Sequence, residues 1–312
     1  MERNGTKRCR SDMTNEQKGM TASIVGYVIF GFSYLFSKMA LGVAEPMILL
    51  SLRFTVTFIV LNLLVLTKIC KVRLKGKPIG GAILLGLLQP VLYFILENYG
   101  LKYTTTSFTG IISSVSPIFT TILGALILRE RPNWKQWLGI VLSIAGVMMV
   151  SIGGSGGENT VVGCVCLILA YLAGGFYSIL ARKLANKFTP FELTYVMFVI
   201  GFLSFIAWAF VQYRGETLAM YADALSHGRF IIAILYLGIL ASICAYFLMN
   251  YSYGKLPVAR VTVFGNISTV VSVASGILIM GDTFTWISGA AFVLILGGIW
   301  VVNHFKTPET EE

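Results

Sequence analysis

Charge is what this sequence has least of. Only 12% of its 312 residues are Asp, Glu, Lys or Arg, while 56% are hydrophobic and the mean hydropathy is +0.79. One soluble core cannot hide that much apolar surface, so lipid must be the main solvent. Histidine is nearly missing, with only His227 and His304, and the cysteines Cys9, Cys70, Cys164, Cys166 and Cys244 are scattered. Cys164 and Cys166 stand two apart on a helix and point in different directions, so no metal-ligand set is expected and the thiols read as apolar or idle. No Walker-type glycine loop occurs, which removes direct use of ATP. No histidine falls mid-span and no second intramembrane carboxylate lies near Glu97, so hydrolytic chemistry lacks its parts, and neither catalytic residues nor cofactors are expected. The polar, basic N-terminus, Met1 to Lys18, is followed by no small-residue cleavage site, so a cleaved signal peptide is not expected.

Long apolar runs are what is there. Inside a bilayer every backbone N–H and C=O needs an internal partner, which permits only helices or a closed barrel. Runs of about 20 residues without strand alternation select helices. Ten spans are expected, near 19–38, 47–67, 79–100, 104–128, 134–152, 160–181, 190–212, 229–252, 256–280 and 284–303. The longest connection runs from Tyr213 to Gly228, and no soluble domain is left over.

The formal charge of +10 follows the loops. With a cytoplasmic N-terminus, the inner segments hold Arg3, Lys7, Arg8, Arg10, Lys18, Lys68, Lys71, Arg73, Lys75, Lys77, Arg129, Arg131, Lys135, Arg182, Lys183, Lys187, Lys255 and Lys306. The outer segments hold Lys38, Lys102, Arg214 and Arg229. Eighteen basic residues against four place both termini in the cytoplasm of a multi-pass cell-membrane protein, with no nucleic-acid partner needed to explain the charge.

The chain also repeats itself. A shift of 144 residues aligns Tyr27 with Tyr171, Gly31 with Gly175, Phe32 with Phe176, Pro46 with Pro190, Phe54 with Phe198 and Phe58 with Phe202. A shift of 152 aligns Gly86 with Gly238, Asn98-Tyr99 with Asn250-Tyr251, Ser116 with Ser268, Gly124 with Gly276, Trp134 with Trp286 and Gly146 with Gly298. Tails at 1–18 and 305–312 therefore flank repeats at 19–153 and 160–304. Five spans per unit is an odd number, so the second unit enters from the opposite face. The expected fold is an all-α integral membrane protein of ten helices in two inverted repeats.

Residues 101–150, LKYTTTSFTGIISSVSPIFTTILGALILRERPNWKQWLGIVLSIAGVMMV, together with Arg53-Phe54 and the later GDTFTWISGAAFVLILGGIW, resemble the EamA repeat of the drug/metabolite transporter superfamily. The resemblance covers 19–304. It implies a secondary carrier with a central cavity lined mostly by spans 1, 3, 4, 6, 8 and 9. Family members move amino acids, other small metabolites, nucleotide sugars or drugs, and many bacterial ones export. The second repeat departs from the first by carrying Met197 opposite Arg53 and Met249 opposite Glu97.

Arg53, Glu97 and Arg260 are charges within apolar runs and each needs a reason. Arg53 lies about six residues into span 2, roughly 9 Å deep, and Glu97 about three residues from the outer end of span 3, so the two share a depth and can pair. They read either as a polar gate or zwitterion contact, or as a structural pair. Glu97 is also the one candidate proton carrier. Arg260 reads as snorkelling. Asn98-Tyr99 and Asn250-Tyr251 read as gates on the two faces or as interfacial anchors. Ser116, Thr120 and Gly124, matched by Ser268, Ser272 and Gly276, form stripes read as close helix packing between spans 4 and 9, with substrate contact as the alternative. Ser113, Ser114 and Pro117 in span 4 and Gln89-Pro90 in span 3 weaken their helices at a site or a hinge. Tyr34, Tyr93, Phe94, Phe176, Tyr177, Tyr246 and Phe247 sit on the implied cavity spans, with most aromatics expected in packing or against lipid.

The function expected is export of a small organic metabolite such as an amino acid. An intramembrane enzyme, a non-transporting partner or sensor, and drug, cation or nucleotide-sugar carriers are the alternatives. The expected partners are the substrate and the bilayer; a monomer suffices and a dimer stays open.

Overall fold

A computed structural model describes residues 14–128, 134–153, 160–256, 258–283 and 285–304. Arg3, Lys7, Arg8, Arg10, Cys9, Arg129, Arg131, Lys306 and the tail at 305–312 lie outside the described residues, as do the side chains of Pro117 and Gly124. Among the described residues all regular structure is helical, with no strand. The helices are α1 (Asn15–Leu41), α2 (Pro46–Leu66), α3 (Ile79–Lys102), α4 (Thr106–Ser113), α5 (Ser116–Leu128), α6 (Trp134–Gly153) and α7 (Val161–Leu184). They continue with α8 (Pro190–Tyr213), α9 (Thr217–Ser226), α10 (Gly228–Lys255), α11 (Val258–Val263), α12 (Gly265–Met280) and α13 (Trp286–His304).

Among the described residues six stretches are long and apolar enough to cross a membrane: α1, α2, α3, α7, α10 and the run Pro190–Ser226 that joins α8 to α9. Their outer faces stay apolar, with Leu63, Leu84, Val162, Val211 and Ile232 exposed, which is the surface lipid requires. Helix starts in lipid need partners for their first N–H groups, and threonine supplies them here. The hydroxyls of Thr14, Thr105, Thr160 and Thr189 accept from the N–H groups of Gln17, Phe108, Gly163 and Glu192 at 3.1–3.2 Å. Thr14 starts α1 four residues before the expected boundary. Pro46 and Pro190, equivalent in the repeat, both stand at the first turn of their helices, where a missing N–H costs nothing.

Three expected spans are broken rather than continuous. The run at 79–100 breaks at Gln89, whose backbone is extended (φ −147°, ψ 114°) just before Pro90. The run at 104–128 divides at Ser114 and Val115, whose N–H groups turn tightly onto Ile111 and Ile112 carbonyls at 3.1 Å. Pro117 follows, and without its N–H the α-helical ladder has a gap at that point. The run at 256–280 divides at Phe264, with Gly265 next and no proline near the break in the described residues. The long connection expected from Tyr213 to Gly228 is also not irregular: it forms α9, held by the buried Thr217 hydroxyl donating to the Ala209 carbonyl at 3.3 Å.

The halves interlock by matched contacts at small residues. A methyl group on Gly31 of α1 would stand 2.6 Å from Val271 on α12, and one on Gly175 of α7 would stand 3.4 Å from Phe119 on α5. A methyl group on Gly86 of α3 would stand 3.1 Å from Ile200 of α8, and one on Gly238 of α10 3.0 Å from Val56 of α2. In each pair the partners are related by the 144 and 152 offsets, so the first unit grips the second as the second grips the first. Counterparts also meet directly. Phe58 stacks on Phe202 with centroids 4.2 Å apart and planes 8° from parallel, and Phe54 stacks on Phe198 at 5.1 Å. Each such stack contributes about 0.5–1.5 kcal/mol beyond its area. At the edge α6 and α13 pair closely, where a methyl on Gly146 would stand 2.7 Å from Ile295.

One loop is tied across the halves. The buried Glu192 carboxylate, in the first turn of α8, accepts from Thr189 N–H at 2.9 Å and Arg73 N–H at 3.0 Å, and pairs with the Lys77 ammonium. A negative charge at a helix N-terminus is itself favourable. Glu192→Ala strips all three donors of their acceptor and is expected to cost about 2–4 kcal/mol. It should lower the thermal midpoint in detergent well below that of Lys77→Met; equal midpoints would refute the tie.

Candidate functional site

Where the halves meet, a cavity of about 90 Å³ opens among the helices. That is room for a few waters. Helical spacing explains its lining. Tyr27, Phe30 and Tyr34 share a face of α1; Tyr93 and Glu97, four apart, share one of α3, with Gln89 entering from its break; Tyr171, Gly174, Tyr177 and Ser178 share one of α7; Tyr246, Met249 and Tyr253 share one of α10. The broken helices add Ser113 and Ser116 from one unit, Gly265 and Ser268 from the other, and α2 adds Arg53. All three helix breaks thus sit against the cavity, where irregular backbone is tolerated inside a membrane.

Among the described residues Arg53 is the best-buried charge, 1% exposed. Its Nε donates to Ser242 Oγ at 3.0 Å and its guanidinium carbon lies 4.1 Å over the Phe94 ring. Glu97, 5% exposed, accepts from the Tyr93 hydroxyl at 2.7 Å. The two charges share the cavity, but the expected direct ion pair is not formed. Instead Arg53 rests on the Phe94 ring and Glu97 is bonded to Tyr93.

A tyrosine shell surrounds them. Tyr171 OH donates to Tyr34 OH and to the Thr109 carbonyl, both at 3.3 Å, and Tyr177 OH donates to Asn250 Oδ1 at 3.0 Å. Ser178 and Tyr253 share a bond of 2.9 Å, and Gln89 Nε2 donates to Tyr246 OH. Each ring is therefore fixed through its oxygen. With one guanidinium, one carboxylate and otherwise hydroxyl, amide and aromatic groups, the lining can bind and orient a small polar molecule.

Of the residues singled out in the sequence, Tyr34, Arg53, Tyr93, Glu97, Ser116, Tyr177, Tyr246 and Ser268 meet on this cavity. Asn98 and Asn250 do not. Asn98 is fully buried in packing and donates to the Phe94 carbonyl at 2.9 Å, while Asn250 stands behind the wall and links Tyr177 to Thr194. Ser116 and Ser268 open into the cavity, whereas Ser272 does pack between spans, donating to the Thr106 carbonyl at 3.0 Å. Phe176 and Phe247 face outward. Arg260 reaches the surface and pairs with Glu16. Sequence reasoning passed over Tyr27, Ser33, Ser178 and Tyr253; for the two tyrosines the signal was the spacing of seven, two helical turns, from Tyr34 and Tyr246.

The sequence profile of the EamA-like transporter family matches twice, at residues 17–152 and 161–304. The chain belongs to the EamA-like transporter family. It is 35% identical over 281 residues to the "Uncharacterized transporter YcxC" of Bacillus subtilis (strain 168), covering 89% of this chain and 90% of that one. It is 24% identical over 302 residues to a Salmonella typhimurium protein named "Probable amino-acid metabolite efflux pump", covering 95% and 98%. A solved crystal structure superposes with a TM-score of 0.67 over 94% of this chain and 99% of its own, at 16% identity, a likeness of fold alone.

Proposed function

We propose that this EamA-family membrane protein is a secondary carrier that exports small organic metabolites such as amino acids. Ten spans form two inverted five-helix units with both termini cytoplasmic, and the units expose the central cavity to each face in turn. The observation that carries the reading is a buried cavity built by both repeats and containing a guanidinium and a carboxylate. Burying two charges in lipid is expensive, by a few kcal/mol each, and a binding task accounts for the cost. The Salmonella relative's name supports the amino-acid class.

Alternation needs a closure at each end, and two matched latches support it. Lys38, at the end of α1, donates to the Leu101 carbonyl at 3.0 Å and to that of Thr104, closing the α1–α3 end. Arg182, its counterpart 144 residues on, donates to the Tyr253 carbonyl at 2.6 Å, closing the α7–α10 end; Tyr253 is the counterpart of Leu101 at 152. Purified protein in liposomes preloaded with a labelled amino-acid panel should release saturable, protein-dependent flux. Silence across amino acids, amines and organic acids alike would overturn the carrier reading.

A further inference from the structure

Arg53 and Glu97 each keep hydrogen-bonding capacity in reserve. Only Nε of Arg53 is bonded, leaving both terminal guanidinium nitrogens without a partner among the described residues. Only one oxygen of Glu97 is bonded, to Tyr93. Both side chains are at least nine-tenths buried and line the same cavity, and they stand together: Arg53 covers Phe94, and Glu97 follows Phe94 by three residues on the same helix face. A planar guanidinium with a free edge is a fork for a carboxylate, and a carboxylate with a free oxygen is a seat for an ammonium.

We infer that the substrate is a compact zwitterion whose carboxylate binds Arg53 and whose ammonium binds Glu97. This rests on the carrier reading and sharpens it, because it demands both charges on one molecule. Phe30, Tyr171 and Met249 of the same lining offer an aromatic and thioether wall to the rest of the molecule. The recognition is one-sided, since the second repeat puts Met197 and Met249 at the matching positions. Those methionines also show that the shared backbone accepts an uncharged residue at each place, which makes Arg53→Met and Glu97→Met informative variants.

The test is counterflow of labelled L-leucine in proteoliposomes, competed by unlabelled L-leucine, by 3-methylbutylamine, which lacks the carboxylate, and by 4-methylpentanoate, which lacks the amine. On the unmodified protein leucine should compete about tenfold or more better than either analogue, because each analogue leaves one buried charge unmatched. Arg53→Met should erase the preference for leucine over the amine, and Glu97→Met or Glu97→Gln the preference over the acid. Either analogue competing as well as leucine on the unmodified protein would overturn the inference, as would variants that weaken all three compounds equally. Those outcomes leave the carrier reading standing, since flux is present. No counterflow of leucine, with none of L-phenylalanine or L-serine either, would overturn the amino-acid reading and the inference with it.

Discussion

Gly201→Leu is expected to leave no native protein. Gly201 of α8 faces Phe54 of α2 and Pro90 of α3, and a methyl group there would stand 2.6 Å from Phe54 Cδ1, closer still to Cε1, and 2.8 Å from Pro90 Cγ. The Phe54 ring cannot swing away, being fully buried and held by Phe94 at 5.7 Å, Phe198 at 5.1 Å and Phe205 at 4.8 Å between centroids. Overpacking a site of this kind costs about 1–3 kcal/mol for added methyl or methylene groups. Alanine should therefore lower the thermal midpoint in detergent, and leucine, with three more carbons, should push α2 off α8 altogether. Size-exclusion chromatography should then show aggregate in place of a monodisperse peak. Gly80→Ala is the control, with nothing within 4 Å of its added carbon, and should leave the midpoint unchanged. A monodisperse Gly201→Leu protein of ordinary stability would refute the packing of the two units at this axis.

The second large effect concerns the latches. Lys38→Met and Arg182→Met should free opposite ends of the cavity, because the first loosens α1 from α3 and the second α7 from α10. A charge-assisted hydrogen bond contributes about 1.5–3 kcal/mol, which shifts a two-state equilibrium by about tenfold or more. Ser116→Cys in a background without other cysteines places a reporter on the lining. Labelling by an impermeant maleimide from the outer face should rise in the Lys38 variant and from the cytoplasmic face in the Arg182 variant. Transport should fall about tenfold in both, since a carrier biased to one face turns over slowly. If both variants raised labelling from the same face, the two contacts could not be opposed closures.

Much of the site could be read in advance, but through charge and spacing rather than through polarity. Arg53 and Glu97 stood out because a charge in an apolar run is costly wherever it points. Tyr34, Tyr93, Tyr177 and Tyr246 were reachable only through the spans on which they lie. The asparagines stand off the lining, since equivalence between Asn98 and Asn250 marks a shared place in the fold and not exposure to the cavity. Ser116 and Ser272 carry the same kind of short hydroxyl, yet one lines the cavity and the other binds a neighbouring backbone.

Lipid explains this division. Because backbone groups must be satisfied within each segment, apolar length alone determined that the chain is helical, and the offsets of 144 and 152 determined that it repeats. A helix that is apolar all round, however, carries no stripe to say which side faces its neighbours. The rotation of each helix is set by what it meets: Gly31 by Val271, Gly201 by Phe54, Gly86 by Ile200. Only those contacts decided that Arg53 rests on Phe94 rather than on Glu97, and that the two charges face one cavity with bonds to spare.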